Sequence, residues 1–348
     1  MEQRPLGRTG LSVPALCLGT MTYGEQNSEA EAHAQMDLAF ERGVTFFDAA
    51  ELYPVPRKAE TQGRTEAYLG SWFAARGRRD KVVLGSKVVG RGDATWFRED
   101  RSPTRLTRDQ IFEAVDKSLR RLRTDYIDLY QVHWPDRALP FGGNPTRFKP
   151  TPSDEVPIGE TLETLAEVVK AGKARFIGIS NESAWGTMTW LRESDARGLP
   201  RVQAIQNAYS LLNRTFDTAL AEIALREDVG LLAYSPLAQG ILTGKYRNGA
   251  LPEGSRRKVI PMQTQRYEKP GVPEAVEAYA QVAEELGLDL TQLALRFVLS
   301  RPFVTSVILG ATSTAQLAHD IDALDSPWSP EIEAKLDAVH QRVGNPCP

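Results

Sequence analysis

Eight short runs of almost unbroken apolar residues constrain the fold of this chain more than any other feature. They are ALCLG (15–19), VTFFDAA (44–50), KVVLGSK (81–87), YIDLYQVH (126–133), RFIGIS (175–180), VQAIQN (202–207), GLLAYS (230–235) and SVILG (306–310). A strand with one wet face alternates apolar and polar residues, whereas a strand covered on both faces does not. Strands of the second kind pair in parallel, and each pairing needs a long crossover. The intervening stretches carry helical patterns that suit this. Ser28 and Glu31 form a capping box for the first, and Gly43 closes it. Thr107 and Gln110 open another, with Ile111, Val115, Leu119 and Leu122 on one face. A third starts near Glu160, turns Leu162, Leu165, Ala166 and Val169 inward, and ends at Gly172; more follow near 183–194, 215–228, 274–286, 290–300 and 313–322. Eight strands, each followed by a helix, predict an α/β fold, the (β/α)8 TIM barrel. The 348 residues then form a single barrel domain, 1–348. Residues 2–14 are expected to make a short hairpin on the barrel floor, and 329–341 an added closing helix.

The loops show where chemistry belongs. Three connections are long, Val88–Arg108, Trp134–Pro157 and Leu237–Pro273, and follow the third, fourth and seventh strands. In a barrel these loops sit on the C-terminal face, where active sites form. A formal net charge of −3 gives no reason to expect nucleic acid or a membrane surface as partner. No stretch approaches about 18 apolar residues, and the opening MEQRPLGRTG has no export signal. Two cysteines, Cys17 and Cys347, make no disulfide framework, so a cytoplasmic setting is expected. Four histidines without ligand spacing argue against a metal site, and no G-x-G-x-x-G points to a Rossmann domain.

Asp48, Tyr53, Lys87 and His133 lie at, or just past, the C-terminal tips of the second, third and fourth strands. Taken singly, each has an ordinary structural role: a cap, a loop aromatic, a strand-end charge, a core histidine. Taken together they are harder to explain so, because a buried aspartate and a buried lysine are costly unless they pair. The set also matches the needs of carbonyl reduction: a proton donor, a charge that eases donation and a group that holds the carbonyl oxygen.

FFDAAELY, LGSKV, YIDLYQVHWP, GKARFIGISN, IQNAYSLLNR, AYSPLAQGILTGKY and VILGATSTAQL, in this order, resemble the aldo-keto reductase superfamily over residues 1–345. GTMTYGEQNSEAEAHAQ and AELYPVP…ETQGRTE resemble its bacterial Tas-like branch more narrowly. The resemblance implies NADPH-dependent reduction of aldehydes and ketones. It casts Tyr53 as general acid, with Lys87 lowering its pKa, Asp48 holding Lys87, and a neutral His133 orienting the carbonyl. It implies that Ser180, Asn181 and Gln206 bind the nicotinamide carboxamide and that Tyr234 stacks on the ring. Thr20 and Met21 would line the ribose, and Ser235, Pro236, Leu237, Gln239 and Gly240 would cover the pyrophosphate. Lys245 and Arg256 would meet phosphates, Arg256 the 2′-phosphate, and Thr312, Gln316 and Asp320 the adenosine end. This chain departs from the family pattern at His319 and Asp320, where Glu and Asn are common. That leaves the adenine contacts open, as well as the choice among Arg256, Arg257 and Lys258 for the 2′-phosphate.

Aromatic residues Tyr23, Trp96, Trp134 and Phe141 are candidate walls for a small carbonyl substrate of apolar or aromatic character, or equally ordinary loop packing. Two rival readings stand beside reduction. One is an NADP(H)-holding regulatory subunit of the potassium-channel β type with slow turnover. The other, a glycosidase, needs paired carboxylates, and Glu51, near Asp48, has no evident partner. With no unusually apolar outer helix face, a monomer is the default; a homo-oligomer stays open.

Overall fold

The computed structural model describes residues 1–139, 154–261 and 265–347. The eight apolar runs become strands β3 (Leu16–Gly19), β4 (Phe46–Asp48), β5 (Val83–Val88), β6 (Ile127–Val132), β7 (Ala174–Ser180), β8 (Val202–Ala208), β9 (Gly230–Tyr234) and β10 (Val304–Leu309). Each pairs in parallel with the next, and β10 returns to β3 to close the barrel. The β6 and β10 strands are buried at every position, as the unbroken apolar runs require. Cys17 is one of the side chains that fill the barrel interior, beside Phe46, Leu129 and Leu232.

The predicted hairpin is present as β1 (Gln3–Pro5) against β2 (Ser12–Pro14). It lies across the N-terminal ends of the strands: Arg4 donates to the carbonyls of Val304 and Leu299, and the Arg8 amide to Gln203 Oε1. It therefore blocks the floor and leaves the C-terminal face free.

Several local expectations change in the folded chain. The Ser28–Glu31 capping box forms at helix α1 (Glu29–Glu41). The Thr107–Gln110 pair does not cap helix α3 (Arg108–Leu122). Gln110 instead accepts from the Arg105 amide and donates to Ser102 and Pro103, tying down the loop before the helix. The 215–228 helix breaks into a short 3-10 turn and Leu220–Glu227, because Ala219 adopts a positive φ of 73°. Helix α2 (Arg64–Arg76), which follows β4, was not expected. Its buried face mixes Leu69, Trp72 and Phe73 with Thr65, Glu66 and Gly70, so the apolar stripe is short and interrupted. Gly70 is there because helix α3 comes very close: a Cβ would stand 2.2 Å from the Arg121 carbonyl oxygen. After β9 the crossover is Leu290–Leu299, and Val272–Leu286 is an additional helix packed against the closing helix Pro330–Val343. Among the described residues, no helix is long and apolar enough to cross a membrane.

Candidate active site

The tips of β4 and β5 bring Asp48 and Lys87 within bonding distance, and the end of β6 sets His133 nearby. Parallel pairing sets Asp48 opposite Gly85 and Lys87 opposite Gln131, with His133 one step beyond β6. Lys87 is completely buried and uses all three ammonium protons. It donates to Asp48 Oδ2 at 2.7 Å, to the Ala49 carbonyl at 2.8 Å and to the Tyr53 phenol oxygen at a long 3.4 Å. Because that oxygen accepts from Lys87, the Tyr53 O–H is left to point elsewhere, and Tyr53 lines the cavity above. The other Asp48 oxygen accepts from Gln206 Nε2 at 2.9 Å. The His133 ring meets Tyr53 edge-on, with centroids 5.6 Å apart. Its Nδ1 is buried and without a partner among the described residues.

Electrostatics separate the roles these groups can fill. Burial works against a charged Lys87, but the Asp48 carboxylate and Tyr53 outweigh it, so the ammonium is held above its usual range. Burial, followed by the cations Lys87 and Arg57, drives His133 well below its usual pKa and keeps it neutral. For Tyr53 the expectation needs correction. Lys87 does pull the phenol down, but burial is the larger effect and Asp48 adds to it, so the phenol ends above its ordinary value. It is thus a fully loaded proton donor at neutral pH.

Above this cluster lies a cavity of about 1240 Å3, and every residue expected to meet a dinucleotide is in its wall. The wall runs from Thr20, Met21, Ser180, Asn181, Gln206 and Tyr234 through Ser235, Pro236, Leu237, Gln239 and Gly240 to Lys245, Arg256, Thr312, Gln316 and Asp320. Asn181 already makes bonds within the protein: Nδ2 donates to the His133 carbonyl at 2.8 Å, and Oδ1 accepts from the Tyr234 hydroxyl at 2.7 Å. Thr312 bonds Gln316 Oε1 through both its amide and its hydroxyl. Burial pushes Asp320 up to about 7, against a smaller pull from His319. The three neighbouring cations also part ways. Arg257 pairs with Glu268 at 2.9 Å and Lys258 pairs with Glu253. Arg256 lines the cavity and has no carboxylate partner among the described residues.

Four substrate-wall candidates fare differently. Trp134 lines the cavity beside His133, 5.0 Å between ring centroids. Trp96 stacks on Phe97 in the apolar cluster around Tyr53 and does not reach the cavity wall. Tyr23 is wholly buried in the main core, where its hydroxyl donates to Gln35, so it is not a pocket residue. Phe141 lies outside the described residues. Sequence reasoning missed the wall residues Arg57, Arg266 and Ser255. Arg266 packs over Tyr234, a contact that only the folded loop brings about. It also left Glu51 without a partner; in the fold Glu51 forms a buried two-pronged ion pair with Arg98, at 2.9 and 3.1 Å. A carboxylate held this way is not available as the second acid of a glycosidase.

The model of the Aldo/keto reductase family matches residues 15–341. The chain is 47% identical to Protein tas of Escherichia coli (strain K12) over 350 residues, covering 100% of both chains. It is 34% identical over 350 residues to the uncharacterized oxidoreductase YrpG of Bacillus subtilis (strain 168), covering 100% of this chain and 98% of the relative. A probable voltage-gated potassium channel subunit beta of Arabidopsis thaliana is 31% identical over 347 residues, 98% of this chain and 97% of the relative.

Proposed function

The chain belongs to the aldo/keto reductase family of oxidoreductases, and from that premise we propose that it reduces aldehydes or ketones to alcohols with NADPH. The observation that carries this reading is the Lys87 ammonium, which donates at once to Asp48 and to the Tyr53 oxygen at the base of the large cavity. The wall suits the cofactor. Gln239 Oε1 and Ser255 Oγ are buried there without partners among the described residues, and Lys245, Arg256 and Arg266 supply cations for phosphates. Ser180, Asn181 and Gln206 offer amide and hydroxyl groups for a carboxamide, with Tyr234 beside them. Arg256 is assigned to the 2′-phosphate because its two neighbours are engaged with carboxylates.

When bound, NADPH supplies a hydride to the carbonyl carbon. Tyr53 gives its proton to the carbonyl oxygen, and the Lys87 ammonium, already hydrogen-bonded to that phenol oxygen, stabilises the phenolate left behind. Asp48 keeps Lys87 charged and in place. Neutral His133 has one N–H to donate to the same carbonyl oxygen, which fixes its distance from Tyr53. The test is loss of NADPH absorbance with para-nitrobenzaldehyde, with NADH as control. Turnover with NADPH well above NADH supports the reading. Failure to bind either cofactor overturns it. The relative named as a channel subunit favours a second reading, a cofactor-holding regulatory protein. Tight NADPH binding without turnover on a panel of carbonyls is the outcome that would select it.

A further inference from the structure

Arg57 lines the cavity that Tyr53, His133 and Trp134 also line. It follows Tyr53 by four positions on a loop stiffened by Pro54 and Pro56 and anchored where the Val55 amide donates to the Met21 carbonyl. Among the described residues it has no carboxylate and no hydrogen-bond partner, whereas its neighbour Lys58 is bonded to Glu25 at 2.6 Å. The segments 140–153 and 262–264 contain no Asp or Glu that could pair with it. Its place four residues after Tyr53 sets it on the loop that leaves the strand tip carrying Asp48, and its charge contributes to keeping the His133 imidazole neutral. The remaining wall there is apolar: Leu52, Val55, Met21 and Trp134. A cation left without an acid beside an apolar slot is poised for an oxyanion carried by the substrate.

We propose that Arg57 is a specificity determinant which selects carbonyl substrates bearing an anionic group, a carboxylate or a phosphate, over neutral ones of the same shape. The inference rests on the reductase reading above and deepens it. The carbonyl meets Tyr53 and His133, the apolar body lies along Leu52, Val55 and Trp134, and the far oxyanion meets the guanidinium. Because Arg57 is exposed, its selectivity weakens as salt rises.

The test compares para-carboxybenzaldehyde with para-isopropylbenzaldehyde, two aldehydes of nearly equal shape and carbonyl reactivity that differ by one charge. A second pair, para-formylphenyl phosphate against para-methoxybenzaldehyde, separates phosphate from carboxylate preference. For the protein as isolated, kcat/KM should favour the charged partner by roughly tenfold, the range expected of a hydrogen bond to a charged group. Arg57→Met should bring the ratio close to one, and the change should fall on KM. Lys58→Met, which removes a cation outside the cavity, should leave the ratio unmoved. Equal kcat/KM for charged and neutral aldehydes overturns the proposal while leaving the reductase reading standing. If neither aldehyde turns over, the reductase reading fails, and calorimetric titration of the alcohol products decides this one. Preference for para-(hydroxymethyl)benzoate over para-isopropylbenzyl alcohol, lost in Arg57→Met, upholds it; equal binding overturns it.

Discussion

The two ends of the cavity are built in opposite ways. At one end Asp48, Tyr53, Lys87 and His133 stand on three adjacent strand tips or in the short turn after one, all at most 8% exposed, with Lys87 held to Asp48 at 2.7 Å. At the other end the cation side is a long connection after β9, with Ser235, Gln239 and Gly240 at positive φ and Arg256 in a helix of only four residues. In the proposed reaction the first end would hold its groups in a fixed geometry that a shift of a bond length would spoil. The second is a collar of partly exposed cations on a loop, suited to gripping and releasing a large anion. Under the proposed function, the contrast would divide reaction rate, at the strand tips, from cofactor affinity, in the loop.

The sharpest way to break that division is at Tyr53. Tyr53→Phe should lower kcat by about 10²–10⁴-fold, the usual contribution of a general acid, while the NADPH dissociation constant read by fluorescence titration stays put. A large loss of cofactor affinity would mean the two ends are not separable. The pH profile of the unaltered protein sharpens the same point. His133 stays neutral well below its usual pKa and Tyr53 stays protonated above its own. Reductase kcat should therefore be level from mildly acidic to mildly alkaline pH and fall only as pH climbs past the Tyr53 pKa, above its ordinary value of about 10.

A smaller effect is expected at the loop. Arg256→Gln should raise the KM for NADPH by about tenfold, the loss of one charge-assisted bond, with kcat and the KM for NADH hardly altered. Lys258→Gln serves as the internal comparison, since its charge is bonded to Glu253; a shift in NADPH KM as large as that of Arg256→Gln would reverse the assignment of the 2′-phosphate. The smallest effect is on stability. Asp320 titrates near 7 when folded and at about 3.9 when unfolded, so the folded state holds its proton more tightly. That contribution is complete below the unfolded pKa and is lost as pH rises through 7. Asp320→Asn should thus gain a few degrees in Tm, about what 1 kcal/mol gives, with a larger gain at pH 8 than at pH 5. An equal gain at both would show that the carboxyl is not buried in the way described.

How much could be read beforehand follows the same contrast. All eight barrel strands were legible, because burial on both faces leaves an unbroken apolar run. The strand-tip quartet was legible for the complementary reason: a buried Asp and Lys interrupt such runs and demand each other. Helix α2 was hidden, because its buried apolar residues Leu69, Trp72 and Phe73 are interspersed with Gly70, which lets helix α3 come close, and with Glu66, which bonds Arg121 and Ser86. The placement of Tyr23 stayed open in the sequence because an aromatic at a strand end has the same local signature whether it faces a pocket or the core.

The sequence by itself determined the barrel, the floor hairpin and the family, since each rests on local pattern or on ordered motifs. Only the tertiary structure decided that Lys87 donates to Asp48 and Tyr53 together, that burial outweighs Lys87 in setting the Tyr53 phenol, and that Glu51 is bound to Arg98. It also decided which cations are already paired and which, Arg57 and Arg256, face the cavity without an acid among the described residues. The physical reason is that periodicity reports which face of an element is buried, whereas a charge is balanced by whatever the rest of the fold brings within a few ångströms, from any distance along the chain.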